Sequence, residues 1–370
     1  MKVQLVDPSA FTPPYDRSLC AALAGAGVDV RLVTSRFLYG PVPESAGYEV
    51  EEAFYRRSAR LGLGSRLRLP AKLAEHVPDM LRQRRRVREA QLVHWQWLTL
   101  PRLDRFLIGR GTPKVLTLHY PLPSAGSRRA LATQRRILTG FDAVISHSEH
   151  GARRLSAEVG LDPARIEVIP HGAFDYLTRL PAEQPLPPEL AAVDGPVILF
   201  FGLLRPYKGL DTLLEAFAGL KGAELWIAGM PRMPMAPLET AAARARGRVR
   251  FVPRFIADPE IPAYFRRADL IVLPYREIEQ SGVLYTALAF GKPILLTSVG
   301  GFTEVAGQGA ARAVPPNDPD AFAEAMEELV ADPGKRAELA AAAQAAATGS
   351  YSWERIASRT AELYATLVSR

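Results

Sequence analysis

The chain has 370 residues, 48% of them hydrophobic, with 46 Lys/Arg against 39 Asp/Glu and a single cysteine. That length and composition fill two ordinary globular cores. One cysteine, Cys20 in an apolar helix-like run, excludes an intramolecular disulfide and any cysteine-based metal site, and fits a reducing compartment. The apolar part of MKVQLVDPSAF is too short for a signal peptide, and no apolar run is long enough to span a bilayer. A cytoplasmic location is therefore expected.

The first predicted strand is 2–6 and the first helix 18–26. The turn between them, DPSAFTPPYD, has no glycine. A dinucleotide fingerprint needs glycines there, so its absence argues against an NAD or FAD enzyme. A strand is predicted at 28–34, and residues 39–91 read as helical with loops. Short strands follow at 92–95, 114–118, 143–146 and 166–169. Three of them run into His119, His147 and His171. His147 and His150 are three apart, which two metal ligands could share on a helix. Glu149 is their one nearby carboxylate, so a place in loop or cleft structure is the simpler reading.

The stretch PAEQPLPPELAAVDGP, 181–196, is rich in proline and reads as a linker. A second alternating series begins with strand 197–201. Helices are predicted at 211–220, 238–246, 261–267, 283–290 and 319–331. Strands are predicted at 224–228, 249–252, 270–273 and 293–297. Two consecutive βαβ series predict two doubly wound α/β domains. A separate amphipathic helix, 352–368, ends the chain.

Two turns carry chemistry. FFGLLRPYKG, 200–209, follows a strand and precedes a helix, and places Arg205 and Lys208 three residues apart. A guanidinium fork and an ammonium point charge together suit a diphosphate. The chain has only seven lysines, so one in this turn is less easily dismissed as surface charge. The second turn is the polar loop 274–281, which opens a helix at Ser281 and Gly282. Free N–H groups and the positive end of the helix dipole favour a phosphate there.

These residues carry a family resemblance. GLLRPYKG, QSGVLYTALAFGKPIL and VGGFTE resemble the retaining family 4 glycosyltransferases of GT-B fold, as do IPHG (169–172), VISHSEH (144–150) and His119. The likeness is strong over 197–305 and looser before Val115. It implies two Rossmann-like domains facing across a cleft. The expected division is an N-terminal acceptor domain (1–180), the linker, a C-terminal nucleotide-sugar domain (197–348) and a last helix (349–370) crossing back to the N-domain. It further implies transfer of a sugar from a nucleotide-diphosphate sugar to an acceptor hydroxyl, with no metal and no cofactor, in polysaccharide or glycoconjugate biosynthesis. By carry-over Arg205 and Lys208 clamp the diphosphate, beside Gly202. Gln280 and the amides of Ser281, Gly282 and Val283 hold the distal phosphate or sugar. His119 lies beside the donor sugar, and Glu279 takes a sugar hydroxyl.

The chain also departs from the family. The second of the family's two glutamates, which grips the ribose, falls at Thr286, and the glycine pair of the first loop is replaced by Thr12-Pro13-Pro14-Tyr15. A catalytically weak nucleotide-sugar-binding subunit and another GT-B activity, such as a sugar-nucleotide epimerase, are the alternative readings. Charge bears on the acceptor. Residues 55–88 hold eleven Lys/Arg and two acids, while the whole chain is only +7. Either this is a solvated face, or it meets an anionic or lipid-linked acceptor at the inner face of a membrane. Few aromatics interleave these arginines, which argues against nucleic acid.

Overall fold

Short apolar runs separated by helices can be buried on both faces only in a parallel sheet covered on each side. The computed structural model, which describes residues 1–42, 44–119, 122, 127–278 and 280–370, has two such sheets. The first consists of β1 (Lys2–Asp7), β2 (Asp29–Ser35), β3 (Glu49–Phe54), β4 (Leu92–Trp95), β5 (Lys114–Thr117), β6 (Ala143–Ser146) and β7 (Ile166–Val168). Its order is β3-β2-β1-β4-β5-β6-β7, all parallel. The second consists of β8 (Val197–Phe201), β9 (Glu224–Ala228), β10 (Arg248–Val252), β11 (Leu270–Leu273), β12 (Ile294–Thr297) and β13 (Arg312–Val314). Its order is β10-β9-β8-β11-β12-β13, again parallel.

Each order reverses once, between β1 and β4 and between β8 and β11. At such a point neighbouring crossovers leave to opposite faces and open a crevice at the carboxyl ends of the strands. In the second sheet the turns after β8 and β11 are those that carry Arg205, Lys208, Ser281 and Gly282.

The chain divides into two compact units, Met1–Gly172 with Trp353–Arg370, and Ala173–Ser352. The proline-rich stretch 181–196 falls inside the second unit. Residues Pro188–Ala191 form one helical turn, Leu190 is buried, and Gln184 N–H donates to Pro259 O at 2.7 Å. The final helix, Trp353–Val368, belongs to the first unit and packs on the helix Pro13–Gly25. Trp353 lies against Gly172, where a Cβ would stand 2.4 Å from the indole.

Two strands were not predicted. β3, EVEEAF, is an edge strand with one buried residue, Phe54, so its acids face water and hide the strand pattern. β13 has only three residues at the other sheet's edge. The first helix starts earlier than predicted, because Pro13 and Pro14 occupy its first turn, where a missing N–H costs nothing.

The loop without glycine has its own organiser. The buried Asp7 carboxylate accepts the N–H groups of Ser9 (3.2 Å), Phe11 (2.6 Å) and Thr12 (3.2 Å). Asp16, equally buried, hydrogen-bonds to it. Burial first, and then the Asp7 charge, push the Asp16 carboxyl well above its ordinary value. The pair therefore holds a proton, with Asp16 as the donor. Asp16→Asn keeps a donor and is expected to change stability by less than about 1 kcal/mol. Asp7→Asn turns an acceptor pair into one carbonyl and is expected to cost about 2 kcal/mol or more. Urea unfolding of both variants checks this ordering.

Candidate functional site

The second unit builds its site from the turn after β8. Gly202 has φ of +98°, and a Cβ there would stand 3.1 Å from Val283 Cγ2 and 3.3 Å from Lys208 Nζ. Gly209 has φ of +66°, and its Cβ would stand 2.0 Å from the Pro274 carbonyl oxygen. Both positions need glycine because the turns after β8 and β11 touch. The result is that Gly202, Lys208 and Val283 converge.

Lys208 is 6% exposed. Its ammonium lies 4.8 Å from the Tyr275 ring centroid and 5.8 Å from that of Phe200. Burial, with a smaller push from the Arg205 charge, lowers its pKa from 10.5 to about 8. Arg205 itself is exposed at the mouth of the same turn. A buried ammonium over aromatic faces, with a second cation beside it, is a place for an anion rather than a surface pair.

Ser281 is the N-cap of the helix Gly282–Ala289, yet its side chain caps no backbone group. Its hydroxyl lies 3.4 Å from the buried Tyr275 hydroxyl. The first-turn N–H groups of Gly282 and Val283 have no intrahelical acceptor, as at any helix start. Gln280 accepts the Tyr285 hydroxyl at 2.6 Å. Thr286 is buried and donates to the Gly282 carbonyl at 2.9 Å, so its hydroxyl is spent on its own helix. Glu279 lies outside the described residues. The second unit thus gathers Gly202, Arg205, Lys208, Ser281, Gly282 and Val283, whereas His119 belongs to the first unit.

In the first unit, parallel topology collects histidines from successive strand ends. His119, His147 and His171 surround the Tyr15 ring at 4.7, 5.4 and 4.8 Å between centroids, and Trp353 closes the group at 5.2 Å. Ile169 O can only accept, so His147 donates to it through Nδ1 at 3.0 Å. His119 Nε2 lies 2.7 Å from Gln96 Oε1, an oxygen that can only accept, so Nε2 donates to it, and His119 Nδ1 lies 3.3 Å from His147 Nε2. Burial depresses all three imidazoles; neighbouring histidines lower His119 and His171 further, while the hydrogen bond to the Ile169 carbonyl partly offsets the shift at His147. His94 is a hydrogen-bonded member of the same core, with Tyr364 OH at 2.5 Å and Thr117 Oγ1 at 2.7 Å. The sequence signal for the cluster was a histidine after each of three consecutive apolar runs.

The Lys208 environment gives a signed pH effect. Between about pH 8 and 10.5 the unfolded chain holds this proton and the folded chain does not, so the Lys208 contribution to stability rises with pH in that window. Anion binding has the opposite trend, since only the ammonium attracts it. Pyrophosphate affinity measured by calorimetry is expected to weaken as pH rises through about 8. In Lys208→Met that pH-dependent component is expected to vanish.

Comparison with known proteins is consistent with this geometry. Residues 195–332 match the family described as "Glycosyl transferases group 1", and residues 17–173 match "Glycosyltransferase Family 4". A D-inositol 3-phosphate glycosyltransferase of Xylanimonas cellulosilytica is 29% identical over 64% of this chain and 60% of its own length. Its counterpart from Kineococcus radiotolerans is 26% identical over 95% of this chain and 89% of its own. A GDP-mannose:glycolipid 4-beta-D-mannosyltransferase of Xanthomonas campestris pv. campestris is 29% identical over half of each chain. The match thus spans 60% and 50% of the length of the first and third of these relatives. Two solved structures share the fold at low identity. Sucrose-phosphate synthase from Thermosynechococcus elongatus has a TM-score of 0.76 at 21% identity, covering 100% of this chain and 99% of that one. Anabaena HepE in complex with UDP has 0.73 at 20%, covering 99% and 100%. Two parallel α/β units and two matching glycosyltransferase domains lead to one conclusion: the chain belongs to the family 4 glycosyltransferases, with the GT-B fold.

Proposed function

We propose that the protein transfers a glycosyl group from a nucleotide-diphosphate sugar to an acceptor hydroxyl, with retention of configuration and without a metal. The observation that carries this reading is the enclosed Lys208 ammonium beside Arg205 and the open helix end at Ser281. Breaking the sugar–phosphate bond leaves an oxocarbenium-like carbon and a diphosphate that gains charge. The chief task is to stabilise that charge with fixed cations and amides. Lys208 and Arg205 take the diphosphate, and the Gly282 and Val283 amides take the distal phosphate or the sugar. In a front-face route the departing phosphate accepts the acceptor's proton. In this reading Glu279 takes a sugar hydroxyl, and Gln280 joins the amides at the distal phosphate or the sugar. His119, neutral, exchanges its Gln96 bond for a sugar hydroxyl. A purified protein with the right donor is expected to form product whose anomeric configuration, read by NMR, matches the donor. Lys208→Ala and Arg205→Ala are each expected to lower turnover at least a hundredfold while leaving the melting temperature nearly unchanged. Donor binding without transfer or donor hydrolysis would favour the partner-subunit reading.

The acceptor side rests on the basic segment. In the helix Arg68–Arg86 the two acids turn inward: Glu75 accepts the N–H groups of Arg57 and Ser58, and Asp79 accepts that of Tyr55. Leu69, Leu73, Val77 and Leu81 are instead exposed, at 65, 52, 38 and 42%, with Arg82, Arg84 and Arg85 following. An apolar stripe ending in arginines suits the surface of an anionic bilayer, where a lipid-linked acceptor resides. No helix among the described residues is long and apolar enough to cross a membrane. Binding to vesicles with anionic lipid is expected to fall steeply with salt. It is expected to be lost in Leu73→Glu/Leu81→Glu, and persistence of binding in that variant counts against this face.

A further inference from the structure

We infer that the first unit carries a second anion site, between the short helix Pro101–Asp104 and the helix Arg128–Leu138, that takes the phosphate or diphosphate group of a ligand. Arg102, Arg105, Arg129 and Arg136 line one cavity of about 520 Å³, together with Ser127 and Thr133. Arg129, Thr133 and Arg136 fall at helical spacing on one face, while Leu131, Ile137 and Leu138 of the same helix are buried in the core. Four guanidinium groups around one space repel each other unless an anion lies among them. The acid nearest in sequence does not serve. Asp104 sits between Arg102 and Arg105, but its Oδ1 is 2.6 Å from His76 Nε2 and its Oδ2 accepts Leu100 N–H at 2.8 Å. Among the described residues, none of the four arginines forms an ion pair.

Arg105 is half-buried where it lines this cavity, and its Nε has no hydrogen-bond acceptor. The Phe106 ring, 4.2 Å from the guanidinium carbon, fixes the orientation of this group. Ser127, the N-cap of the eleven-residue helix, makes no capping hydrogen bond, so the first-turn amides and its hydroxyl add donors on the same side. The donor set is forks and N–H groups, which match the several oxygens of a phosphate better than a single carboxylate. The space also exceeds one phosphate, which admits a diphosphate or a phosphate with part of its carrier. A soluble phosphate ester and a lipid phosphate head group share this chemistry. The inference concerns binding alone and stands whether or not the transfer chemistry proposed above is correct.

The test is a calorimetric titration with inorganic pyrophosphate at constant ionic strength, in a Lys208→Ala background that weakens the other diphosphate site. Pyrophosphate is expected to bind, and Arg129→Gln/Arg136→Gln is expected to weaken it at least tenfold. The control pair Arg60→Gln/Arg66→Gln, with the same charge change elsewhere, is expected to stay within about twofold. Equal binding in all three proteins, or equal loss in both pairs, overturns the site. A melting experiment gives an independent reading. Without ligand at low salt, Arg129→Gln/Arg136→Gln is expected to melt higher than the parent, because repulsion is relieved, and a lower melting temperature contradicts the account. Competition against pyrophosphate by inositol 3-phosphate identifies a soluble ester, and competition by phosphatidic-acid vesicles identifies a lipid. If neither competes, the ligand assignment is wrong.

Discussion

A single ammonium group, Lys208, sits almost wholly inside protein and has aromatic faces rather than a carboxylate around it. Burial alone pushes such a group toward neutrality, and the nearby Arg205 pushes it further the same way. This is an unfavourable arrangement for an empty protein and a favourable one for a protein that binds a diphosphate. Much else in the second unit follows from holding it there. The sheet order brings β8 beside β11, two glycines let their turns touch, and the helix Gly282–Ala289 starts with its amides at the same place.

The first unit is organised by a different solution at the same kind of point. Where dinucleotide-binding turns use glycine, this one uses a buried acid. Asp7 gathers three backbone N–H groups of its own loop, and Asp16 supplies the proton that makes two enclosed carboxyl groups tolerable together. The loop so fixed positions Thr12, whose hydroxyl accepts the Trp97 indole N–H at 2.8 Å. Tyr15, one turn on, fills the space between three neutral imidazoles. Those imidazoles spend nitrogens on one another, on the Ile169 and Gly172 carbonyls and on the Gln96 side chain. They form a rigid, uncharged floor rather than a set of free bases.

Much of this was legible in the residues. Buried strands such as 197–201 and 270–273 announce themselves as short apolar runs, because parallel strands are covered on both faces. The pairing of Arg205 with Lys208, and of Ser281 with Gly282, was legible because each follows such a run and opens a helix. Edge strands were not. β3 carries three glutamates, and an exposed edge has no apolar requirement to leave in the sequence. Nor could a one-dimensional reading tell which way the residues of 55–88 face. Counting charges found the basicity, but only packing shows Glu75 and Asp79 turned inward and the leucines outward. Composition likewise made 181–196 look like a linker, whereas Leu190 anchors it in the second unit's core. Arginines at 102, 105, 129 and 136 are far apart in the chain, so their shared cavity left no local trace.

The direct measurement is the titration of Lys208 itself, by NMR of side-chain-labelled lysine, feasible because the chain has only seven. The account predicts a pKa of about 8 in the free protein, climbing markedly when a nucleoside diphosphate binds. A value near 10.5 in the free protein, unmoved by any nucleoside diphosphate, would contradict it.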